Sequence, residues 1–435
     1  MKKFITICIL IISLTGQSQT SVELSEQFLK KMIREQFDSC QAYFDTVVSN
    51  KINASMMQQM WSRIPSYVGD YKSYDNIRTE TGDTIDVVLI QCAFEKTKLD
   101  LRFSYNRYHK IIGLTFIPPK SKTAYSAPDY YEPSKLYETK LVVKTGTYEM
   151  PGLLCVPNNI ENPPVIILLA GSGPNDKDES GGPLKALKDL ALGLASGGVA
   201  SLRYDKRTYT HGAKLMNEKV GINEEVIEDA LSAVKILRAH PLFKKSTIFI
   251  AGHSLGAMCA PLVATKSKDI SAIIMLAGNA RPLEDVILDQ FIYFSSLDSS
   301  SSEVKEALKK IKPQIATVKN SKDLAKAEPK DLPLGMPSFY WQSLVNYNQI
   351  KTAKKVKQPI LILQGERDYQ VTMIDYNIWK KELGENPKNK FISYPKLNHM
   401  FMKGEGKSSP EEYQKQNNVD LKVIMDMLEF VKSIK

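Results

Sequence analysis

The residues best suited to do chemistry lie in one short stretch, Gly252-His253-Ser254-Leu255-Gly256, which follows the apolar run 248–251. A Gly-x-Ser-x-Gly pattern between an apolar strand and an apolar helix is typical of a tight turn that exposes one serine hydroxyl. Gly252 and Gly256 suit this turn because side chains two residues before and after the serine would clash with it. The pattern therefore predicts that Ser254 is a nucleophile.

A serine nucleophile needs a base that removes its proton and an acid that orients the base. The predicted base is His399, because it follows the last predicted strand at the carboxyl edge of a sheet, where active sites form. His211 also follows a strand and is the alternative. The predicted acid is Asp368, which lies beyond a strand end and between the serine and the histidine in the chain. Glu366 and Asp375 are weaker alternatives.

The oxyanion that forms when a serine attacks a carbonyl needs two N–H donors. Leu255 follows the nucleophile and is the first predicted donor. The second is expected from the glycine-containing loop after the apolar run 165–170, where we choose Ser172, with Gly173 as the alternative. Glycines in this loop would let the backbone approach a substrate closely. These positions predict an oxyanion hole formed by the N–H groups of Leu255 and Ser172.

The amino terminus predicts export. Met1-Lys2-Lys3 is basic, and residues 4–14 form an apolar run that is too short to span a bilayer. Together with the small residues that follow, this pattern indicates a signal peptide over residues 1–18. We therefore expect a periplasmic or extracellular protein without a membrane span.

The composition gives no reason to expect a nucleic-acid partner or a cofactor. The net charge is +10, but the lysines are spread along the chain rather than clustered with aromatic residues. The sequence has no His-Glu-x-x-His, no paired Cys-x-x-Cys and no dinucleotide-binding fingerprint. We therefore expect neither a metal nor an organic cofactor. An exported protein could pair Cys40 with Cys92, and the sequence leaves this bridge open.

The length of 435 residues predicts two domains. A helical pattern of apolar residues, followed by three segments with apolar residues at every second position, predicts a small α+β domain over residues 21–117. The Pro-containing stretch 118–135 is the predicted linker. Strands and helices then alternate over residues 136–435, which predicts a mostly parallel sheet covered by helices on both faces. The long segment at about 280–357 is interpreted as a helical cap over the active site.

The second domain resembles the α/β-hydrolase superfamily, in its bacterial secreted esterase and dienelactone-hydrolase-like branch. The resemblance depends on five motifs, Gly171-Ser172-Gly173-Pro174-Asn175-Asp176, Arg203-Tyr204-Asp205-Lys206-Arg207, Gly252-His253-Ser254-Leu255-Gly256, Gly365-Glu366-Arg367-Asp368 and Asn398-His399. The first domain is similar to the nuclear-transport-factor-2-like domain of unassigned function that precedes such hydrolases. The resemblance implies a triad of Ser254, Asp368 and His399, whereas Thr208-Tyr209-Thr210 departs from the family pattern.

These observations predict an exported serine hydrolase that cleaves small-molecule carboxylic esters through an acyl-enzyme intermediate. The main alternative is a serine peptidase of the same fold, because the same triad serves both reactions. The second alternative is a non-catalytic binding protein on a hydrolase scaffold. Acyl length, the alcohol, the role of the first domain and the oligomeric state are left open by the sequence.

Overall fold

The computed structural model describes residues 20–50, 52–81, 86–95, 97–117, 124–215, 218–297 and 301–434. The contacts divide the chain into two compact units, residues 1–120 and 121–435. The predicted signal peptide lies outside the described residues, as does the first part of the predicted linker. None of the described helices is long and apolar enough to cross a membrane.

The first unit combines helices with a four-stranded antiparallel sheet. Its strands pair in sequence order and are β1 (Tyr71–Thr81), β2 (Asp86–Phe94), β3 (Lys98–Tyr105) and β4 (Ile111–Ile117). Its helices are α1 (Ser21–Ile33), α2 (Ala54–Val68) and the short segments Phe37–Cys40, Gln41–Tyr43 and Thr46–Ser49. Helix α1 packs on the sheet through Phe28, whose ring centroid lies 5.5 Å from that of Phe103 in β3.

The cysteines of the first unit are not bridged. Cys40 and Cys92 are both buried with free thiols. Burial raises the pKa of Cys40 to about 11 and that of Cys92 to about 12. Both thiols therefore stay protonated at neutral pH and pack as apolar groups.

The second unit is built on an eight-stranded sheet. Its strands are β5 (Leu136–Thr145), β6 (Tyr148–Pro157), β7 (Val165–Leu169), β8 (Ala200–Tyr204), β9 (Ile248–His253), β10 (Ile270–Leu276), β11 (Ile360–Gly365) and β12 (Lys390–Tyr394). They lie in the order β12-β11-β10-β9-β7-β8-β6-β5. Strands β7 to β12 pair in parallel, whereas β6 pairs antiparallel with both β5 and β8. The sheet is therefore mostly parallel, as the alternation of strands and helices predicts.

Alternate side chains of the central strands enter two separate apolar cores. In β7 and β9, Ile166 and Phe249 belong to one core, and Ile167 and Ile250 belong to the other. Successive side chains of a strand point to opposite faces, so a run of buried apolar residues needs cover on both sides. The sheet consequently lies between two layers of helices.

The longer helices of this unit are α3 (Ala186–Ser196), α4 (Glu228–Ala239), α5 (Leu255–Lys266), α6 (Leu283–Leu297), α7 (Ser302–Lys319), α8 (Ser338–Val345), α9 (Met373–Leu383) and α10 (Leu421–Ser433). Helices α3 and α10 contribute to the core of Ile166, and α4, α5 and α9 to the core of Ile167. The shorter helical segments are Pro133–Lys135, Arg207–Thr210, Gly212–Leu215, Asn223–Ile227, Pro241–Phe243, Ser321–Leu324, Pro329–Asp331, Pro333–Gly335, Gln349–Ala353 and Pro410–Gln414.

The predicted cap segment is helical, with α6, α7 and α8 between β10 and β11. Its start is fixed to the sheet domain by Asp375 of α9. That carboxylate accepts hydrogen bonds from the backbone N–H groups of Ala280 and Arg281 and pairs with the Arg281 guanidinium at 2.8 Å. The position of the segment over the active site stays a prediction.

Candidate active site

Ser254 lies in a strained turn between β9 and α5. Its backbone has φ 52° and ψ −114°, a conformation that L-residues other than glycine rarely adopt. The two flanking glycines are required by space. A Cβ on Gly252 would lie 2.2 Å from the Gly256 carbonyl carbon, and a Cβ on Gly256 would lie 2.5 Å from the Leu169 carbonyl oxygen. The turn therefore has the geometry that the sequence motif predicts.

His399 and Asp368 lie together beyond the carboxyl ends of β12 and β11. His399 Nδ1 is 2.7 Å from Asp368 Oδ2, and both residues are buried. Oδ1 of the same carboxylate accepts the backbone N–H groups of Gln370 and Val371, and Gln364 Nε2 donates to Oδ2. These contacts fix the carboxylate, which in turn orients the imidazole from which it accepts a hydrogen bond.

The loop that carries His399 is shaped by its neighbour Asn398. The Asn398 side-chain oxygen accepts the backbone N–H groups of Met400 and Met402, each at 3.1 Å. Phe401 between them has φ 57°, so the chain turns sharply there. This local turn places His399 beside the Ser254 turn, with its ring centroid 4.7 Å from that of His253.

Ser254 and His399 both adjoin His253, but they are not hydrogen-bonded to each other in the described structure. No hydrogen bond joins their side chains in the described part of the chain, although His253 Nε2 lies 3.0 Å from the carbonyl oxygen of His399. Such contacts are often long before substrate binds. The structure thus brings the three predicted triad residues to one edge of the sheet.

The alternative acids have other partners. Glu366 is exposed and accepts a hydrogen bond from Ser393 Oγ at 2.7 Å. Asp375 is fully buried in its ion pair with Arg281. Arg367, beside the predicted acid, pairs with Glu412 rather than with Asp368. In the described structure Asp368 is therefore the carboxylate that contacts His399.

The remaining histidines serve local contacts. His211 Nε2 lies 2.9 Å from the carbonyl oxygen of Glu149, and its ring packs edge-on against Tyr148. His240 Nδ1 accepts a local backbone N–H, and His109 Nδ1 lies 3.0 Å from a serine hydroxyl in the first unit. The alternative base His211 thus lies at the β5–β6 hairpin, away from the residues that surround Ser254.

The predicted oxyanion donors flank the nucleophile. Leu255 is the first residue of α5, where backbone N–H groups have no partner inside the helix. Ser172 lies in the loop after β7, and a Cβ on the preceding Gly171 would be 3.3 Å from the Ser254 Cβ. Within the described residues, neither Leu255 N–H nor Ser172 N–H has a protein acceptor. Both groups therefore lack a protein acceptor there, and their role as oxyanion donors stays a prediction.

Two buried charged residues that the sequence analysis did not assign hold this loop. Glu179 Oε1 accepts the Gly171 N–H at 2.6 Å and lies 3.0 Å from His253 Nδ1. On the other side, Lys206 Nζ donates to the Gly171 carbonyl at 2.7 Å and pairs with Glu225. Lys206 belongs to a motif that signalled family resemblance, but no local pattern indicated Glu179.

The surroundings of Glu179 and His253 favour the charged form of each side chain. Burial would raise the pKa of Glu179, but the adjacent His253 and the Gly171 N–H hold it below its ordinary value. Burial likewise opposes the charge on His253, yet the Glu179 carboxylate raises its pKa above the ordinary histidine value. Within the described residues, no group of three His, Cys, Asp or Glu side chains is arranged to hold a metal ion.

Both parts of the chain match known protein families. Residues 184–406 match the family model described as "Serine aminopeptidase, S33", and residues 25–114 match "Protein of unknown function (DUF3887)". The chain is 34% identical to esterase EstD of Thermotoga maritima over 399 residues, which are 91% of this chain and 92% of the relative.

Solved structures of similar fold are more distant in sequence. Est1E from Butyrivibrio proteoclasticus is 17% identical with a TM-score of 0.44, covering 67% of this chain and 99% of its own. The Pyrococcus furiosus esterase Pf2001 is also 17% identical with a TM-score of 0.44, covering 73% and 97%. The predicted fold class is confirmed by the family match and the sheet topology. By its family match and its identity to EstD over nine tenths of its length, the chain belongs to the α/β-hydrolase family and is an esterase.

Proposed function

We propose that this esterase cleaves carboxylic esters through an acyl-enzyme intermediate on Ser254, with His399 as the base and Asp368 as the acid that orients it. The observation that supports this most is the 2.7 Å contact between His399 Nδ1 and Asp368 Oδ2 beside the strained Ser254 turn. A buried carboxylate at Nδ1 keeps the proton on that nitrogen and leaves Nε2 free to accept another.

In this mechanism, the Ser254 hydroxyl attacks the ester carbonyl while His399 Nε2 takes its proton. The oxygen of the tetrahedral intermediate accepts hydrogen bonds from the N–H groups of Leu255 and Ser172. The positive end of the α5 dipole favours the same negative charge. His399 then protonates the leaving alkoxide, and a water molecule releases the acid by the reverse sequence.

A serine aminopeptidase is the second candidate, because the matching family model carries that description. An aminopeptidase needs an acidic group that binds the amino terminus of a peptide. Of the carboxylates described above, Glu179, Asp368 and Glu225 are already engaged with His253, His399 and Lys206. This engagement favours an ester substrate over a peptide.

The test is hydrolysis of p-nitrophenyl esters from acetate to octanoate, with an aminoacyl p-nitroanilide assayed beside them. Wild type should prefer the esters, and Ser254→Ala should lose activity by several orders of magnitude. A variant that keeps wild-type turnover would overturn the mechanism. If the anilide is cleaved faster than the esters, the preferred substrate is a peptide and not an ester.

We also propose that the protein is exported by the amino-terminal signal over residues 1–18, on the basis of the charge and hydropathy of that stretch. Expression of the full chain in a bacterium should yield a periplasmic or secreted protein whose mature sequence begins at Gln19. A protein recovered in the cytoplasm with residues 1–18 intact would contradict this proposal.

A further inference from the structure

His253 makes two contacts that a neutral imidazole cannot satisfy together when Glu179 is ionised. Its Nδ1 lies 3.0 Å from the Glu179 carboxylate, and its Nε2 lies 3.0 Å from the carbonyl oxygen of His399. A carbonyl oxygen only accepts hydrogen bonds, and so does an ionised carboxylate. Either neutral tautomer would leave one nitrogen lone pair facing an acceptor, so only an imidazolium donates at both contacts.

The charges are consistent with this assignment. Glu179 and His253 are both buried, and Oε2 of Glu179 has no hydrogen-bond partner in the described residues. An ionised carboxylate in such a place is costly unless a cation lies beside it. The raised pKa of His253 and the lowered pKa of Glu179 have the same cause.

The contacts of this pair join three separate parts of the site. Glu179 Oε1 also accepts the Gly171 N–H, the residue before the predicted donor Ser172. His253 is the residue before the nucleophile, and its second contact reaches the backbone of the predicted base. Glu179 and His253 thus connect three segments: the loop after β7 over residues 170–179 (the oxyanion loop), the Ser254 turn, and the loop that carries His399 (the His399 loop).

We propose that Glu179 and a protonated His253 act as a clamp of positioning residues that keeps the oxyanion loop and the His399 loop in register with Ser254. This inference rests on the proposed function, because it assigns the clamp to the same nucleophile and base. The clamp contributes to kcat rather than to substrate affinity, since it sets the position of N–H donors that act on the transition state.

The clamp depends on pH through His253. The titratable groups that face its ring are Glu179 of the oxyanion loop, and His399 and Asp368 from the loops after β12 and β11. Because its folded pKa is raised, the clamp is complete below the ordinary histidine pKa and is lost as the pH rises through the raised value. Wild-type kcat should therefore decline on the alkaline side.

The first variant is Glu179→Gln, which keeps the size of the side chain but not its charge. The glutamine oxygen can still accept the Gly171 N–H, but without a negative charge the side chain does not stabilise an imidazolium at His253. We expect kcat for p-nitrophenyl acetate to fall by about a hundredfold, as for a misplaced catalytic group, with KM within about twofold. The alkaline decline should disappear, because His253 is already neutral.

Two further variants separate the clamp from a general loss of packing. His253→Asn removes the donor to the His399 carbonyl. Because Glu179 and His253 act as a unit, the kcat of the double variant His253→Asn with Glu179→Gln should lie within about threefold of the kcat of the slower single variant. Asp189→Asn is the matched control, since it neutralises another fully buried carboxylate of the same unit. Its kcat should equal that of wild type.

A spectroscopic measurement keeps the test independent of any unstable variant. In wild-type protein labelled with 15N-histidine, the His253 ring should still carry protons on both nitrogens at pH values above the ordinary histidine pKa. The resonances are assigned by their loss in His253→Asn. A neutral His253 ring, an unchanged kcat in Glu179→Gln, or effects that multiply in the double variant would each overturn the clamp.

The two proposals fail separately. If Ser254→Ala is inactive and Glu179→Gln is fully active, only the clamp is wrong. If Ser254→Ala keeps wild-type activity, the proposed nucleophile is wrong, and the positioning role that depends on it is overturned with it.

Discussion

Replacing Asp368 by asparagine should disable the predicted base while the protein stays folded. The carboxylate accepts four hydrogen bonds, two at each oxygen, and an asparagine has a single acceptor oxygen. If that oxygen keeps the backbone N–H groups of Gln370 and Val371, the new amide NH2 faces Gln364 Nε2 and His399 Nδ1. His399 must then move its proton to Nε2, the nitrogen that should accept the proton of the nucleophile.

The size of the effect follows from this tautomer change. In Ser-His-Asp enzymes a base in the wrong tautomer lowers kcat by about 10⁴-fold, which is about 5.5 kcal/mol of barrier. The stability loss should be smaller, about 1–3 kcal/mol, because one N–H of the new amide faces the Gln364 amide nitrogen and has no acceptor there, whereas Gln364 keeps the carbonyl oxygens of Gly365 and Val371. The assay is p-nitrophenyl acetate hydrolysis by Asp368→Asn at mildly alkaline pH, with circular dichroism to measure the folded fraction.

Asp375→Asn provides the contrast, because this alternative acid is equally buried but pairs with Arg281 instead of a histidine. Breaking this buried ion pair should lower the free energy of unfolding by no more than about 3–5 kcal/mol, because Arg281 keeps Asp289 as a partner. The kcat of the folded fraction should stay near that of wild type. A variant of Asp368 that keeps a tenth or more of kcat, or an equal loss in Asp375→Asn, would refute the assignment.

Three further predictions test the turn, a buried carboxylate and the cap segment. Gly256→Ala should lower both kcat and the free energy of unfolding, the latter by about 1–3 kcal/mol, because its Cβ would lie 2.5 Å from a carbonyl oxygen of β7. The control is Gly146→Ala, in open space at φ 57°, which should lower the free energy of unfolding by about 1 kcal/mol and leave kcat unchanged. Burial raises the pKa of Asp189 from 3.8 to about 6, so the folded state binds its proton more tightly. As the pH rises from below 4 to above 6, the free energy of unfolding of the wild type should therefore fall by about 3 kcal/mol relative to that of Asp189→Asn. Urea titrations at the two pH values should detect this difference. Tyr369 stacks on Tyr293 of α6 with ring centroids 5.0 Å apart. Tyr369→Ala should therefore lower the free energy of unfolding by about 3–5 kcal/mol, measured by thermal unfolding. It should also change the acyl-length preference more than Tyr369→Phe does. An unchanged preference in Tyr369→Ala would separate the cap from substrate selection.

The sequence predicted those features whose cause is local. The Ser254 turn requires glycines at fixed offsets, and a five-residue pattern records that requirement. The parallel sheet was predictable because each central strand is a short run of β-branched and aliphatic residues between helical segments. The fold class is confirmed, and the catalytic roles of Ser254, Asp368 and His399 stay predictions, supported by their proximity.

Features that depend on contacts between distant segments were missed. Glu179 meets His253 across 74 positions and Lys206 meets the Gly171 carbonyl across 35, so neither leaves a periodic signal. Strand β1 was also missed, because its residues are mostly polar and it pairs on one side only, as an edge strand. In each case the partner, rather than the local sequence, decides the role.

The most direct test of the central claim is reaction with a p-nitrophenyl phosphonate ester, followed by peptide mass spectrometry. A serine nucleophile attacks the phosphorus, releases p-nitrophenol and keeps the phosphonyl group on its oxygen. We expect one label, on the peptide that contains Ser254, and none on Ser254→Ala. A label on another residue, or equal labelling of the variant, would contradict the assignment of Ser254 as the nucleophile.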